Sequence, residues 1–139
     1  MTARTLIYKT LKSIPSIGIL GGADDPRIFA KKTMTSANEE HPFLVYKLGV
    51  DANLDLAEGL RVTRQYFQVW CHDEDSDAHA DYMRIDTILK EIKEAFHLLN
   101  SAEDKVFTCE FIETSQDFND DTLNTLFKYS RFNLIRDDR

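Results

Sequence analysis

Seven apolar residues, Ile85, Ile88, Leu89, Ile92, Ala95, Phe96 and Leu99, recur at the three- and four-residue intervals that align side chains on one stripe of a helix. They predict a long helix of about four turns whose apolar side covers a sheet. A shorter stripe, Ala3, Ile7, Leu11 and Ile14 with Leu6 beside it, predicts an amino-terminal helix that Pro15 stops. Elsewhere the period falls to two. FLVYKLGV from Phe43 reads as a strand, followed by an acidic loop, DANLDLAEG. Arg61 to His72 reads as a longer strand with Phe67, Val69 and Cys71 on one face and Tyr66 and Trp70 on the other. Apolar bulk on both faces predicts a central strand covered on both sides, or covered on one side by a neighbouring subunit. Lys105 to Thr114 alternates again, with Phe107, Cys109 and Phe111 opposed to Val106 and Ile112, and Leu123 to Ile135 reads as a last long strand. TSQDFNDD between them suits a hairpin loop. Gly21, Gly22 and Pro26 mark a turn or surface loop, and Arg27 to Met34 reads either as a strand or as irregular chain.

The expected class is α+β: a mostly antiparallel sheet of about four or five strands, with an amino-terminal helix and one long helix packed on it. A ferredoxin-like or split arrangement is compatible with that order. One domain, residues 1–139, fits the length.

Composition narrows the function classes. The chain is 42% hydrophobic and 29% charged, which suits a folded protein. A net charge of −7 argues against a sequence-independent grip on nucleic acid, which depends on Lys and Arg displacing counterions from phosphates. No Asp or Glu precedes Asp24, while Arg4, Lys9 and Lys12 make the amino end locally basic. Such asymmetry fits either opposite faces meeting in an assembly or an ordinary solvated surface. Cys71 and Cys109 lie in alternating runs, where they pack as small hydrophobes; a disulfide would require their strands to be paired. No signal peptide or apolar run of membrane length is legible, so a reducing cytoplasm is the expectation.

The densest chemistry lies in VWCHDEDSDAHADYM, residues 69 to 83. His72, Asp73, Asp75, Asp77 and His79 are candidate metal ligands by type, but their spacing matches no zinc pattern and no calcium loop. The start of the long helix accounts for them better: Ser76 and Asp77 are read as its N-cap, with acids at the positive end of the helix dipole, each contributing about 0.3 to 1 kcal/mol. No catalytic, cofactor or metal residue is assigned. Cys71 and His72 point to opposite faces of a strand, no nucleophile elbow is present, and Gly21 and Gly22 form no phosphate loop. What stands out is aromatic content on strands: Phe43, Tyr46, Tyr66, Phe67, Trp70, Phe107, Phe111, Phe127, Tyr129 and Phe132. Aromatic residues are enriched at protein interfaces, which makes self-association a reading to test.

The stretch from HPFLVYKLG through RQYFQVWCHDEDSDAHADYMRIDTILKEIKEAF to TLFKYSRFNLI resembles, in pattern and order, the tail terminator (tail completion) proteins of long-tailed bacteriophages. The resemblance implies a structural, non-enzymatic virion protein, assembled in the host cytoplasm. It would form a hexameric ring at the head-proximal end of the tail, stopping tube polymerisation and giving the head its joining surface. The implied partners are further copies, the tail tube protein and a head-completion or stopper protein, with DNA passing through and not specifically bound. The acids of the two interstrand segments, Asp51, Asp55 and Glu58 in one and Asp117, Asp120 and Asp121 in the other, are the candidate lumenal or axial contacts. Residues 16–41 match nothing in the family pattern. The alternatives are another head–tail connector or stopper, a tail tube subunit, a cytoplasmic α+β domain that binds a ligand or metal, or an enzyme with an unrecognised carboxylate site.

Overall fold

The computed structural model describes residues 3–24, 26–30, 41–54, 62–75, 82–103, 105–122 and 125–137, with side chains at 50–54 excepted. Helix α1 (Ala3–Lys12) precedes a 3-10 turn at Pro15–Gly18, then come β1 (Ile28–Phe29), β2 (Phe43–Leu54), β3 (Val62–Glu74), α2 (Met83–Phe96), β4 (Val106–Thr114), β5 (Phe118–Asp120) and β6 (Thr125–Asp137). The strands form one sheet in the order β1-β2-β3-β6-β4, and β5 extends the β4 edge along the first residues of β6. Only β1 and β2 run parallel. The architecture is α+β, with six strands where the pattern predicts four or five.

β3 and β4 both pair antiparallel to β6, so α2 carries the chain over β6 from one flanking strand to the other. That crossover puts the helix on one face of the sheet. Ile85, Ile88, Leu89, Ile92 and Phe96 are buried there as the stripe predicts. Ala95 and Leu99 are partly buried against the same core, and α1 adds Leu6, Ile7 and Leu11. At the centre, Phe67, Phe96 and Phe132 are fully buried with ring centroids 5.0 to 5.2 Å apart.

β3 is central, as its two apolar faces predict, between β2 and β6. β4 departs from simple alternation. Its pairing with β6 slips between Val106 and Thr108 and again between Phe111 and Glu113. The extra residue at each bulge turns outward, so Phe107 and Ile112 are exposed while Val106 and Cys109 stay in the core. Phe107 therefore does not share a face with Cys109, because period-two counting fails across a bulge.

Several elements lie where the sequence pattern is silent. The turn after α1 is tied to α2 by Ser16, whose backbone N–H donates to Glu91 Oε2 at 3.0 Å. Arg27 reaches across to residues 41–42, its Nε donating to the Pro42 carbonyl at 2.9 Å, while Leu44 N–H donates to the Arg27 carbonyl. The acidic segment after Val50 begins as strand, because β2 continues to Leu54. The segment expected as a plain hairpin loop contains β5, held by Phe118 stacked on Phe127 at 5.2 Å.

The long helix begins at Met83, with Tyr82 in the N-cap position at φ 61° and no side-chain cap. Ser76 and Asp77 lie outside the described residues. An ion pair anchors the helix start instead: Arg84 donates to both carboxylate oxygens of Asp73, at 2.8 and 2.5 Å, and Asp73 is 2% exposed. This hydrogen bonding raises the Arg84 pKa further.

The face opposite the helices carries a ladder of stacked rings. Phe43 lies on His72 (4.8 Å), His72 on Phe127 (5.0 Å), and Phe127 on Phe118, joining β2, β3, β6 and β5. Burial is the main cause that lowers the His72 pKa to about 4; His41 and Lys47 add to it and Asp120 opposes it. The neutral ring engages Thr125 Oγ1 through Nδ1 at 3.1 Å.

Three outcomes are expected. Phe132→Ala should lower unfolding free energy by about 3 to 5 kcal/mol, read by urea denaturation, since it empties the centre of the core. Asp73→Asn, which leaves Arg84 facing a neutral amide, should cost about 2 to 3 kcal/mol in the same assay. The His72 contribution is fully present above pH 6.5 and is lost as the pH falls from 6.5 through 4, because only the unfolded chain takes up the proton readily in that window. Stability should fall there by at most about 3 kcal/mol from this group, and His72→Phe should flatten that part of the pH profile while keeping the stack.

Candidate functional site

Side chains of paired strands fall on alternate faces, so the β3–β6 register decides which residues share the helix-free face. Trp70 opposes Tyr129, Gln68 opposes Arg131, Tyr66 opposes Asn133, and on the other flank Lys47 opposes Gln68. The face is a mixture of rings and cations. Lys47 Nζ stands 5.1 Å from the Trp70 ring centroid, Arg131 5.8 Å from Tyr129 and Arg64 5.3 Å from Tyr66. Trp70 and Tyr129 contact each other at 4.6 Å, and both are half-buried. Such contacts contribute about 0.5 to 1 kcal/mol each at exposed sites and hold the cations flat against the sheet.

Lys47, Leu48, Gly49, Tyr66, Gln68 and Arg131 line a cleft of about 370 Å³ on this face. It opens where the β2–β3 register slips between Leu48 and Asp51. Gly49 forms part of its backbone side, next to Tyr66. Arg131 also pairs with Glu113 at 3.1 Å, and the Gln68 carbonyl, in the amide orientation that satisfies both side chains, accepts from Arg131 at 2.9 Å. Arg64 Nε is buried and finds no acceptor among the described residues. Two cations, an amide and a phenol around one opening suit a carboxylate.

The sequence-predicted acids are split. Asp51 lies on β2 beside Gln65, toward the end where β2 gives way to β3; Asp55 and Glu58 lie outside the described residues. Asp117, Asp120 and Asp121 belong to the β4–β6 connection, whose strand β5 pairs Asp120 with Thr125, and Thr125 in turn opposes Glu74. Because Leu54 opposes Val62 while Phe43 opposes His72, Asp51 and the 117–121 segment sit toward opposite ends of the sheet. They do not form one cluster. The second is an ordered turn: Asp120 Oδ1 accepts from Thr122 N–H at 2.9 Å, Asp121 from the Asn119 amide at 3.2 Å, and Asp117 stands 3.5 Å from Lys128 Nζ. Lys128 also reaches Asp86 on α2 at 2.7 Å.

Of the candidate ligands in residues 69 to 83, Asp73 is committed to Arg84 and His72 to its stack, while Asp77 and His79 lie outside the described residues. Among the described residues no group of three or more His, Cys, Asp or Glu is placed to hold a metal. Cys71 and Cys109 are both free and buried on strands that β6 separates, so they are not the cross-strand pair a disulfide needs. Burial pushes both thiols up, Cys109 to about 12, which keeps them unreactive. No helix among the described residues is long and apolar enough to cross a membrane.

Sequence reading names the rings of this face but passes over Lys47, Arg64 and Arg131. A signal for two of them exists: Arg64–Tyr66 and Tyr129–Arg131 are spaced i, i+2, which on a strand means one face.

No protein-family model and no curated protein matches the chain. Among solved structures, a chain in one described as "Virion of native gene transfer agent (GTA) particle" is similar over 98% of this chain and 95% of that chain, with a TM-score of 0.66 and 9% sequence identity. At that identity the likeness is one of fold, and it extends over nearly the whole length of both chains.

Proposed function

We propose that this chain is a structural, non-catalytic subunit of a phage-like virion. Its specific role is that of a tail terminator: a homohexameric ring at the head-proximal end of the tail tube that ends tube growth and offers the joining surface for a head-completion or stopper protein. The observation that carries the virion reading is the end-to-end likeness of fold to a chain of a virion particle. The finer assignment rests on the resemblance of residue pattern described above. An assembling protein also accounts for a helix-free sheet face paved with Trp70, Tyr129 and Tyr66, which a solitary enzyme of this size has no need to keep half-exposed.

In this reading the two acidic segments serve different neighbours, a division supported by Asp51 and the 117–121 segment lying toward opposite ends of the sheet. Asp51, Asp55 and Glu58 are assigned to the channel, where carboxylates repel the phosphates of passing DNA. Asp117, Asp120 and Asp121, in their ordered turn, are assigned to a protein contact.

Adding the purified protein to polymerising tail tube protein of the same particle should stop elongation, giving shorter tubes with a sixfold ring at one end by negative-stain imaging. Tubes that grow at an unchanged rate with stoichiometric protein present would sink the terminator assignment.

A further inference from the structure

The helix-free face presents Lys47 and Arg131 across the middle of β2, β3 and β6 and Arg64 toward the β2–β3 end, in a chain whose net charge is −7. This face thus carries a group of cations in a protein that is acidic overall, as does the amino end with Arg4, Lys9 and Lys12. The cleft between Lys47 and Arg131 is furnished for a carboxylate; Arg64, outside its lining, carries a buried Nε with no acceptor among the described residues. Glu113, at the β4 margin of the face, pairs with Arg131 at 3.1 Å and uses part of the guanidinium's donors, and Glu110 lies at the same margin.

Among the described residues, the 117–121 turn offers carboxylates in an ordered setting. It projects from the β5 extension of the sheet, and Asp117 is 61% exposed by side chain. The bond from the Thr122 N–H to Asp120 fixes the backbone, and the bond from Asn119 uses only part of the acceptor capacity of Asp121. Turn and cleft lie at different places on one chain, so neither can satisfy the other within a subunit as folded. Two different patches that fit each other between copies make a head-to-tail contact, the kind that closes into rings.

We infer that the Lys47–Arg131 cleft on the helix-free face receives the Asp117–Asp121 turn of a second copy of this chain. The inference deepens the ring reading and rests on it in one respect, that copies meet head to tail. Trp70 and Tyr129, beside the cleft, supply apolar area that the turn and the neighbouring β5 of the second copy would cover. The attraction is charge-steered, so association should weaken with added salt.

Charge reversal on each side, followed by mixing, tests this. One variant carries Lys47→Glu and Arg131→Glu, the other Asp117→Lys and Asp121→Lys, with the single changes Lys47→Glu and Asp121→Lys as milder versions; circular dichroism and thermal melting select folded proteins. By sedimentation the wild type should self-associate, each reversed variant alone should bind itself at least about tenfold more weakly, and the equimolar mixture should regain association because reversed cleft meets reversed turn. Folded variants that associate as the wild type does would overturn the inference, as would a mixture that stays dissociated or a wild type monomeric at its highest soluble concentration. Tube capping separates the two readings: a wild type that caps tubes, beside reversed variants that still associate, refutes the docking surface and leaves the terminator role standing.

Discussion

Thirteen consecutive cross-strand pairs between β3 and β6, from Val62 opposite Asp137 to Glu74 opposite Thr125, decide the rest of this molecule. A slip of one residue would exchange the faces of every side chain on one strand, moving Phe132 and Leu134 out of the core and Tyr129 and Arg131 into it. Such a slip is opposed from the helix side, where Phe67 and Phe132 stack at 5.0 Å under Phe96. It is opposed equally from the other side, where Trp70 meets Tyr129 and His72 meets Phe127. Two independent aromatic sets therefore specify one register, and each is the condition for the other.

The two faces have different energetics. The helix side is dry and closed, so deleting a ring leaves a cavity that the surrounding side chains fill only in part. The opposite side is half wet. Its rings are capped by Lys47, Arg64 and Arg131, whose charges gain little in water and much more once a partner excludes it. Burial by a neighbour would strengthen these interactions only if it also brought acceptors; an apolar neighbour would leave Lys47 and Arg64 without a carboxylate, whereas Arg131 keeps Glu113. The chemistry of the face thus selects for an acidic partner as well as a flat one.

The sequence was readable where periodicity is long and local. α2 announces itself through its stripe because the period repeats over several turns, and β2, β3 and β6 through branched and aromatic runs. Ring contents of both faces were legible for the same reason. β1 and β5 were not, since strands of two and three residues carry no period and exist by virtue of what they pair with. The bulges in β4 were hidden because a one-residue insertion looks like continued alternation until its partner is known. The start of α2 was placed too early because the acids of residues 73 to 81 look like capping residues, whereas Asp73 is spent on Arg84 and the helix begins at Met83. The insertion of β6 between β3 and β4 is a non-local fact. Without it the acids of 51–58 and of 117–121 read as one group, and the cleft at Lys47 and Arg131, drawn from residues far apart in sequence, has no local signature at all.

That separation of charge bears on how an acidic chain could form a ring around DNA. Like-charged subunits repel as they close, and the repulsion grows as more acids face a common axis. Placing cations in the channel would relieve it but would also hold the phosphates that must slide past. In the proposed contact, cations on the helix-free sheet, against Trp70, Tyr129 and Tyr66, would relieve it without that cost, because there they would meet carboxylates from the next copy. On this argument, the position of Lys47 and Arg131 away from the β2–β3 end, near which Arg64 sits opposite Ala52, matters as much as their charge, and a ring built with these two cations moved to that end should assemble yet retard DNA.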